Sequence, residues 1–105
     1  MIVYKIIWST FAENQLDDIF YYYSLKASKS IAKRIINKIL TEVRVLKNHP
    51  NIGQSELLLS SLQEYRYIVS GNYKVIYRMD SKNMIVKITD VFDTRQNPVK
   101  ISRNK

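Results

Sequence analysis

The spacing of apolar residues changes part-way along the chain, and this change limits the folds available to it. Between residues 10 and 47, apolar residues recur every three or four positions, which predicts helices. Between residues 65 and 92, stretches rich in β-branched and aromatic residues alternate with short polar breaks, which predicts strands. This order favours a pair of helices packed on a sheet.

The first helix is predicted to begin near residue 10. Ser9 or Thr10 can act as its N-cap, and Thr10 stands at the capping-box spacing from Glu13. The apolar residues that follow at helical spacing form one stripe: Ala12, Leu16, Ile19, Phe20 and Tyr23. Residues 21–23 are consecutive tyrosines, which cannot all be buried on a helix. We expect them to pack against the loop after the second helix.

A short polar break at residues 25–30 separates this helix from a second one, predicted from about residue 28 to residue 47. Pro50 ends it, because proline disfavours helical geometry in the residue before it. The two helices form an αα-hairpin. The apolar face of the second helix consists of Ala32, Ile35, Ile36, Ile39, Val43 and Leu46.

The last third of the chain is predicted to form an antiparallel meander of three strands, at residues 65–69, 73–79 and 84–92. Residues 2–8 predict a further strand, added to the same sheet, and residues 51–64 predict a loop. The fold class is therefore α+β, in the order β-α-α-β-β-β, with a helical hairpin packed on one face of a twisted antiparallel sheet.

The register of the meander follows from its turns. A three-residue turn at 70–72 pairs Val69 with Tyr73, and a four-residue turn at 80–83 pairs Met79 with Met84. One face then buries under the helices: Tyr65, Tyr67, Val69, Tyr73, Val75, Tyr77, Met79, Val86 and Ile88. The other face is open and basic: Arg66, Ile68, Lys74, Ile76, Arg78, Lys87 and Thr89. A two-residue turn is disfavoured because it places the Arg66 guanidinium among the aromatic rings, where an unpaired charge is costly.

The charge of the chain favours an acidic partner. Seventeen Lys and Arg against nine Asp and Glu give a net charge of +8 and a pI near 9.8. Nucleic acid, a membrane surface and an acidic protein all fit this balance, and a solvated basic surface without a partner is the alternative.

Several classes of site are disfavoured by composition. The chain has no cysteine, which excludes disulfides, thiolate metal sites and a cysteine nucleophile. Its single histidine and the absence of clustered carboxylates argue against a catalytic metal, and no cofactor is expected. No apolar run approaches the ~20 residues of a membrane span, and no targeting segment is recognisable. A cytoplasmic location is therefore the expectation.

Five cations form the candidate functional site. Arg66, Lys74, Arg78 and Lys87 are expected on the open sheet face, with Arg95 just after the last strand. Clustered cations bind phosphates, and arginine can stabilise charge that develops on a phosphoryl group. A nearby tyrosine such as Tyr77 could stack on a base. The alternative is a polar face on which Arg78 and Lys87 pair with nearby acids.

The order of these features resembles the RelE/ParE family of bacterial type II toxins over about residues 3–98. The resemblance is carried by Trp8-Ser9 with Ala12, Leu16 and Ile19; by Pro50 with Gly53; by Tyr65-Arg66; by residues 73–78 (YKVIYR); and by residues 91–98 (VFDTRQNP). It implies a single toxin domain over residues 1–98, followed by a basic tail at residues 99–105. It also implies an antitoxin partner, which we expect to be acidic.

The resemblance leaves two mechanisms open. RelE-like members cleave messenger RNA on the ribosome, and Arg66 and Arg95 match their phosphate-binding arginines, while Lys74 stands where many relatives have arginine. Residues 99–105 contain no Tyr, His or Glu to act as the usual general base, so Asp93 or Tyr77 would have to substitute. ParE-like members bind DNA gyrase and need no base, which favours that mechanism. A binding module without toxicity is the third possibility.

Overall fold

The computed structural model describes residues 2–55 and 65–95. The elements confirm the predicted order, with one short strand added. They are β1 (Lys5–Trp8), α1 (Thr10–Lys26), α2 (Lys29–Arg44) followed by a 3-10 turn (Val45–Lys47), β2 (Gln54–Ser55), β3 (Tyr65–Ser70), β4 (Tyr73–Asp80) and β5 (Ile85–Asp93). The sheet order is β1-β5-β4-β3-β2.

Serine side chains begin both helices. The Ser9 hydroxyl accepts a hydrogen bond from the Ala12 amide at 3.0 Å, and the Ser28 hydroxyl accepts one from the Ile31 amide at 3.1 Å. Each serine has extended backbone geometry and satisfies an amide that lacks a helical partner. Ser9 is therefore the N-cap of α1, and the capping box predicted from Thr10 to Glu13 is wrong.

The sheet is mixed rather than antiparallel throughout. β3, β4 and β5 pair antiparallel, as the meander prediction requires. β2, which lies within the predicted loop, pairs antiparallel with β3, and β1 pairs parallel with β5. Parallel strands cannot be joined by a tight turn, and the chain between β1 and β5, which contains both helices and three strands, is long enough to allow this pairing. The helical hairpin covers one face of this sheet.

The predicted register between β3 and β4 is wrong by one residue. Ser70 faces Tyr73, so the turn contains only Gly71 and Asn72. Gly71 has a φ of +60°, and a positive φ at the first turn residue alone matches the two-residue type II′ turn that hairpins favour. Because a one-residue slip inverts every side chain of a strand, the two faces of β3 are exchanged. Arg66 and Ile68 lie on the helix side, and Tyr65, Tyr67 and Val69 lie on the open side.

A β-bulge divides the pairing of β4 with β5. Met79 faces Val86 rather than the predicted Met84, although the predicted faces are retained in this half of the ladder. Tyr77 then faces Ile88 while Ile76 faces Asp90, so Thr89 is the extra residue. A bulge turns the following side chains to the other face. Val91 consequently joins the core on the helix side.

The core lies between the helical hairpin and the helix side of the sheet. Both predicted helix stripes contribute to it. Its buried members are Ala12, Ile39, Val43, Leu46, Tyr73, Val75, Tyr77, Val86, Ile88 and Val91. A smaller cluster on the open side consists of Tyr65 and Ile76, with Tyr67 and Phe92 packed against them.

Candidate functional site

A cleft of about 490 Å³ separates α1 from the end of β5, on the helix side of the sheet. Both α1 and β5 contribute polar and apolar side chains to its lining. The lining residues used below are Gln15, Tyr23, Tyr73, Asp93 and Arg95. The Gln15 amide oxygen accepts a hydrogen bond from the Val91 backbone at 2.7 Å, which fixes α1 against the edge of β5 beyond the end of β1.

Arg95 and Asp93 form a tight ion pair at the mouth of this cleft. The guanidinium donates through Nε at 2.9 Å and through Nη2 at 2.5 Å to the two carboxylate oxygens of Asp93. The Arg95 backbone amide also donates to this carboxylate, at 2.8 Å. These hydrogen bonds hold the pKa of Asp93 below its ordinary value. The lowered pKa makes the Asp93 carboxylate a weak base, and its oxygens already accept hydrogen bonds from Arg95, so it is poorly suited to act as a general base at neutral pH.

Tyr73 lies beside this pair, facing Asp93 across the ladder, and only 7% of its surface is exposed. Burial raises the pKa of Tyr73 well above its ordinary value, with further contributions from hydrogen bonding to Tyr23 and from the charge of Asp93. Each of these causes favours the neutral phenol. Tyr73 therefore stays protonated at neutral pH and does not supply a base either.

The raised pKa of Tyr73 predicts a loss of stability in alkali. The unfolded chain releases this proton near pH ~10 while the folded chain retains it, so the stabilising contribution is complete below that pH and falls as pH rises above it. Tyr73→Phe removes this titration. We expect urea denaturation to show that the free energy of unfolding of the wild type, measured relative to that of Tyr73→Phe, falls from pH 9 to pH 11. If this relative free energy stays constant or rises, the pKa of Tyr73 is not raised by folding. Tyr21→Phe, at an exposed ring, is the matched control.

Arg66 lies far from Arg95 in the sheet, on β3 rather than at the end of β5. Its guanidinium Nη1 donates to the Gly53 carbonyl at 2.9 Å and to the Asn51 carbonyl at 3.4 Å. The guanidinium on the helix side is thus paired with backbone oxygens at the sheet edge. These hydrogen bonds offset the free-energy cost of placing an arginine on the helix side of the sheet. The prediction that Arg66 lies on the open face is therefore wrong.

Tyr77 belongs to the same loop contact. Its hydroxyl donates to the Pro50 carbonyl at 2.7 Å and accepts from the Gly53 amide at 2.9 Å, and the side chain is fully buried. Arg66 and Tyr77 together hold residues 50–53 against the sheet. In this structure the Tyr77 ring lies in the core, on the face opposite to the open-side cations.

Three of the predicted site residues do share the open side of the sheet: Lys74, Arg78 and Lys87. The Lys74 ammonium lies 4.0 Å from the centre of the Tyr67 ring and 5.9 Å from that of Phe92, as in a cation–π contact. Arg78 and Lys87 face each other across β4 and β5. Like charges in facing positions cost stability, so this pair favours a counter-ion or an acidic partner. The pKa of nearby Asp80 is lowered mainly by hydrogen bonds from Asn83, with a smaller contribution from Arg78.

The comparison with known families decides which kind of protein this is. The model of the ParE toxin of type II toxin–antitoxin systems, parDE, matches residues 6–98. The chain belongs to the ParE toxin family. It is a toxin of the ParE/RelE type from a type II toxin–antitoxin system. The resemblance read from the sequence is thereby confirmed.

Solved structures share the fold of this ParE-family toxin. A chain of the chromosomal ParDE system from P. aeruginosa superimposes with a TM-score of 0.73 at 17% identity, covering 89% of this chain and 98% of that one. A chain of the RelBE2 toxin–antitoxin complex from Mycobacterium tuberculosis gives 0.67 at 20% identity, covering 89% and 93%. A mutant of the E. coli toxin RelE in the free state gives 0.61 at 11% identity, covering 95% and 93%. No curated protein matches the sequence of this chain.

Sequence reasoning missed the α1 side of the cleft in this ParE-family toxin. Tyr22 and Tyr23 line the cleft opposite the end of β5, and most of the loop after α2, against which they are predicted to pack, lies outside the described residues. The signal in the sequence was the run of tyrosines, but their partners lie about 50 to 70 residues away and depend on how α1 crosses β5.

Within the described residues there is no group of His, Asp and Glu that could hold a metal. None of the described helices is both long and apolar enough to cross a bilayer.

Proposed function

We propose that this type II toxin inhibits growth by binding DNA gyrase. The observation that carries the proposal is the separation of the three residues that resemble a ribonuclease site. Arg66 holds a loop at one edge of the sheet, Lys74 contacts aromatic rings on the open side, and Arg95 pairs with Asp93 in the α1–β5 cleft. RNA cleavage by acid–base chemistry needs a base and phosphate-stabilising groups at one point.

The state of the ionisable groups supports the same proposal. Two carboxylates line the cleft: Asp93, beside Arg95, has a lowered pKa and engaged oxygens, and Asp18 lies on α1. The nearest buried phenol, Tyr73, has a raised pKa. The pKa of neither Asp93 nor Tyr73 is shifted toward neutral pH, where a general base acts best. Inhibition of gyrase by surface contact requires no such group.

The proposal includes an antitoxin as the partner that keeps the toxin inactive. The toxin carries a net charge of +8, and the open side of its sheet presents Lys74, Arg78 and Lys87. An acidic antitoxin would meet complementary charge, which speeds association and favours the correct partner. Both proteins would act in the cytoplasm, where gyrase works on DNA.

The test is induction of the toxin in a bacterial host with labelled thymidine and labelled amino acids followed in parallel. We expect thymidine incorporation to fall first, and purified toxin to inhibit supercoiling by gyrase in vitro. A Gly53→Val variant, which should not fold properly, is the control for effects of expression alone. Earlier loss of protein synthesis, with cleaved messenger RNA, would establish the ribosomal mechanism instead. Normal growth with neither label affected would also overturn the proposal.

A further inference from the structure

The outer face of α2 is the most strongly charged surface of a single element in the described chain. Lys29, Lys33, Arg34, Lys38 and Arg44 are all exposed there. Lys38 has an acidic neighbour, Glu42, at 3.9 Å. In the part of the chain that the structure describes, the other four cations have no carboxylate within 4 Å. Their charge is therefore available to a partner.

Helical spacing arranges these cations in two rows. At 3.6 residues per turn, Lys29, Lys33 and Arg44 lie toward one side of the exposed face, and Arg34 and Lys38 lie toward the other. The positions between the rows are occupied by short hydrogen-bonding side chains: Ser30, Asn37 and Thr41. These three residues are exposed as well. A chain of anions could approach the helix closely along this strip, with cations on both sides.

We propose that the outer face of α2 binds the phosphate backbone of nucleic acid. A protein partner would be expected to meet an apolar centre, because the buried middle of protein interfaces is depleted of charged residues. The apolar stripe of α2 faces the core. Among the described residues of α2, the one large apolar side chain exposed on the outer face is Ile31, which lies at the edge of that face and is 38% exposed. Interfaces with DNA are instead polar and rich in positive charge.

The size of the face agrees with a backbone contact. From Lys29 to Arg44 the helix extends about 22 Å, which corresponds to about six phosphates along one strand of DNA. Contacts of this kind fix position and carry no base sequence information. α1 on the other side of the hairpin carries Glu13, Asp17 and Asp18 and would repel a polyanion. The nucleic acid should therefore lie on the α2 side alone. This inference does not depend on whether gyrase or the ribosome is the target.

The test measures binding of the full-length toxin to a fluorescent 30-base-pair duplex by anisotropy over a range of salt concentrations. The triple variant Lys33→Gln, Arg34→Gln, Arg44→Gln removes three cations from the face. We expect it to bind more weakly and to reduce the slope of log K against log salt by about two to three, since each phosphate contact contributes about 0.9 to that slope. A 30-nucleotide single-stranded RNA, measured in parallel, distinguishes DNA from RNA as the preferred source of phosphate.

The control removes the same charge elsewhere. Lys5→Gln, Lys26→Gln, Lys82→Gln substitutes three exposed lysines on β1, at the end of α1 and in the β4–β5 turn. This variant should keep the wild-type salt slope to within about one, and circular dichroism should show both variants folded. Equal loss in the two triple variants would mean that net charge alone drives binding, and would overturn the proposal. Unchanged binding of both the duplex and the RNA by the α2 variant would also overturn it.

Discussion

Gly53→Ala should lower the free energy of unfolding by about 2–4 kcal/mol, although it adds a single methyl group. A Cβ at this position would lie 2.5 Å from the Tyr77 hydroxyl oxygen, 2.7 Å from the Tyr67 carbonyl oxygen and 2.8 Å from a carbon of the Tyr77 ring. Real Cβ atoms essentially never approach other atoms so closely, and here one neighbour is backbone and the other is a fully buried ring. The loop or the sheet must move.

That movement would break the contacts that hold residues 50–53. The Tyr77 hydroxyl both accepts from the Gly53 amide and donates to the Pro50 carbonyl, and Arg66 donates to the Gly53 carbonyl. A backbone shift at Gly53 separates donors and acceptors that are partly or fully buried. Each such group left without a partner costs about 1–3 kcal/mol. The loss of hydrogen bonds therefore adds to the steric cost.

Chemical denaturation of four variants, Gly53→Ala, Tyr77→Phe, their double variant and Gly71→Ala, would measure this effect. Gly71→Ala is the matched control, because Gly71 has a positive φ but its Cβ position would make only an ordinary contact, 4.0 Å from Lys38 Nζ. We expect a loss of about 1–2 kcal/mol there from backbone strain alone. The double variant Gly53→Ala, Tyr77→Phe removes the atom that makes the 2.5 Å contact. Its loss should be smaller than the sum of the two single losses. Strict additivity would show that the two side chains do not collide.

The helices could be predicted well because their determinants are local. Ser9 and Ser28 each bond to an amide three residues ahead, and Ala32, Ile39 and Val43 recur at helical spacing. The strands could be located for the same reason, but their register could not be derived. It depended on whether Arg66 would find partners, and those partners are carbonyls of Asn51 and Gly53, in a loop without periodicity.

The candidate site could be predicted only in part. The adjacency of Asp93 and Arg95 is local, and both were identified as relevant from the sequence. Their neighbours Tyr23 and Tyr73 reach them through the packing of α1 across β5, which no local pattern encodes. The bulge at Thr89 also escaped prediction, because an extra residue in one strand shows only in the pairing with its partner. It decides that Val91 faces the core.

Arg66→Ala should destabilise the fold by about 2 kcal/mol, whereas Arg95→Ala should leave the melting temperature nearly unchanged. Arg66 donates charge-assisted hydrogen bonds to two loop carbonyls, and bonds of this kind contribute about 1.5–3 kcal/mol. Arg95 has a side chain that is 65% exposed, and its pairing with Asp93 is formed within a surface turn. Exposed ion pairs contribute little. The two arginines that a ribonuclease would use in the same way thus have different physical roles.

Arg66→Met separates the hydrogen bonds from the packing of the side-chain stem, which methionine largely retains. We expect it to lose most of the stability that Arg66→Ala loses, and to increase hydrogen exchange at the Gly53 amide, whose bond to Tyr77 depends on the position of the loop. In cells, any loss of toxicity in either Arg66 variant should follow the loss of folded protein. If Arg66→Met is as stable as the wild type and yet non-toxic, Arg66 contacts the target directly, and the ribonuclease mechanism regains its first arginine.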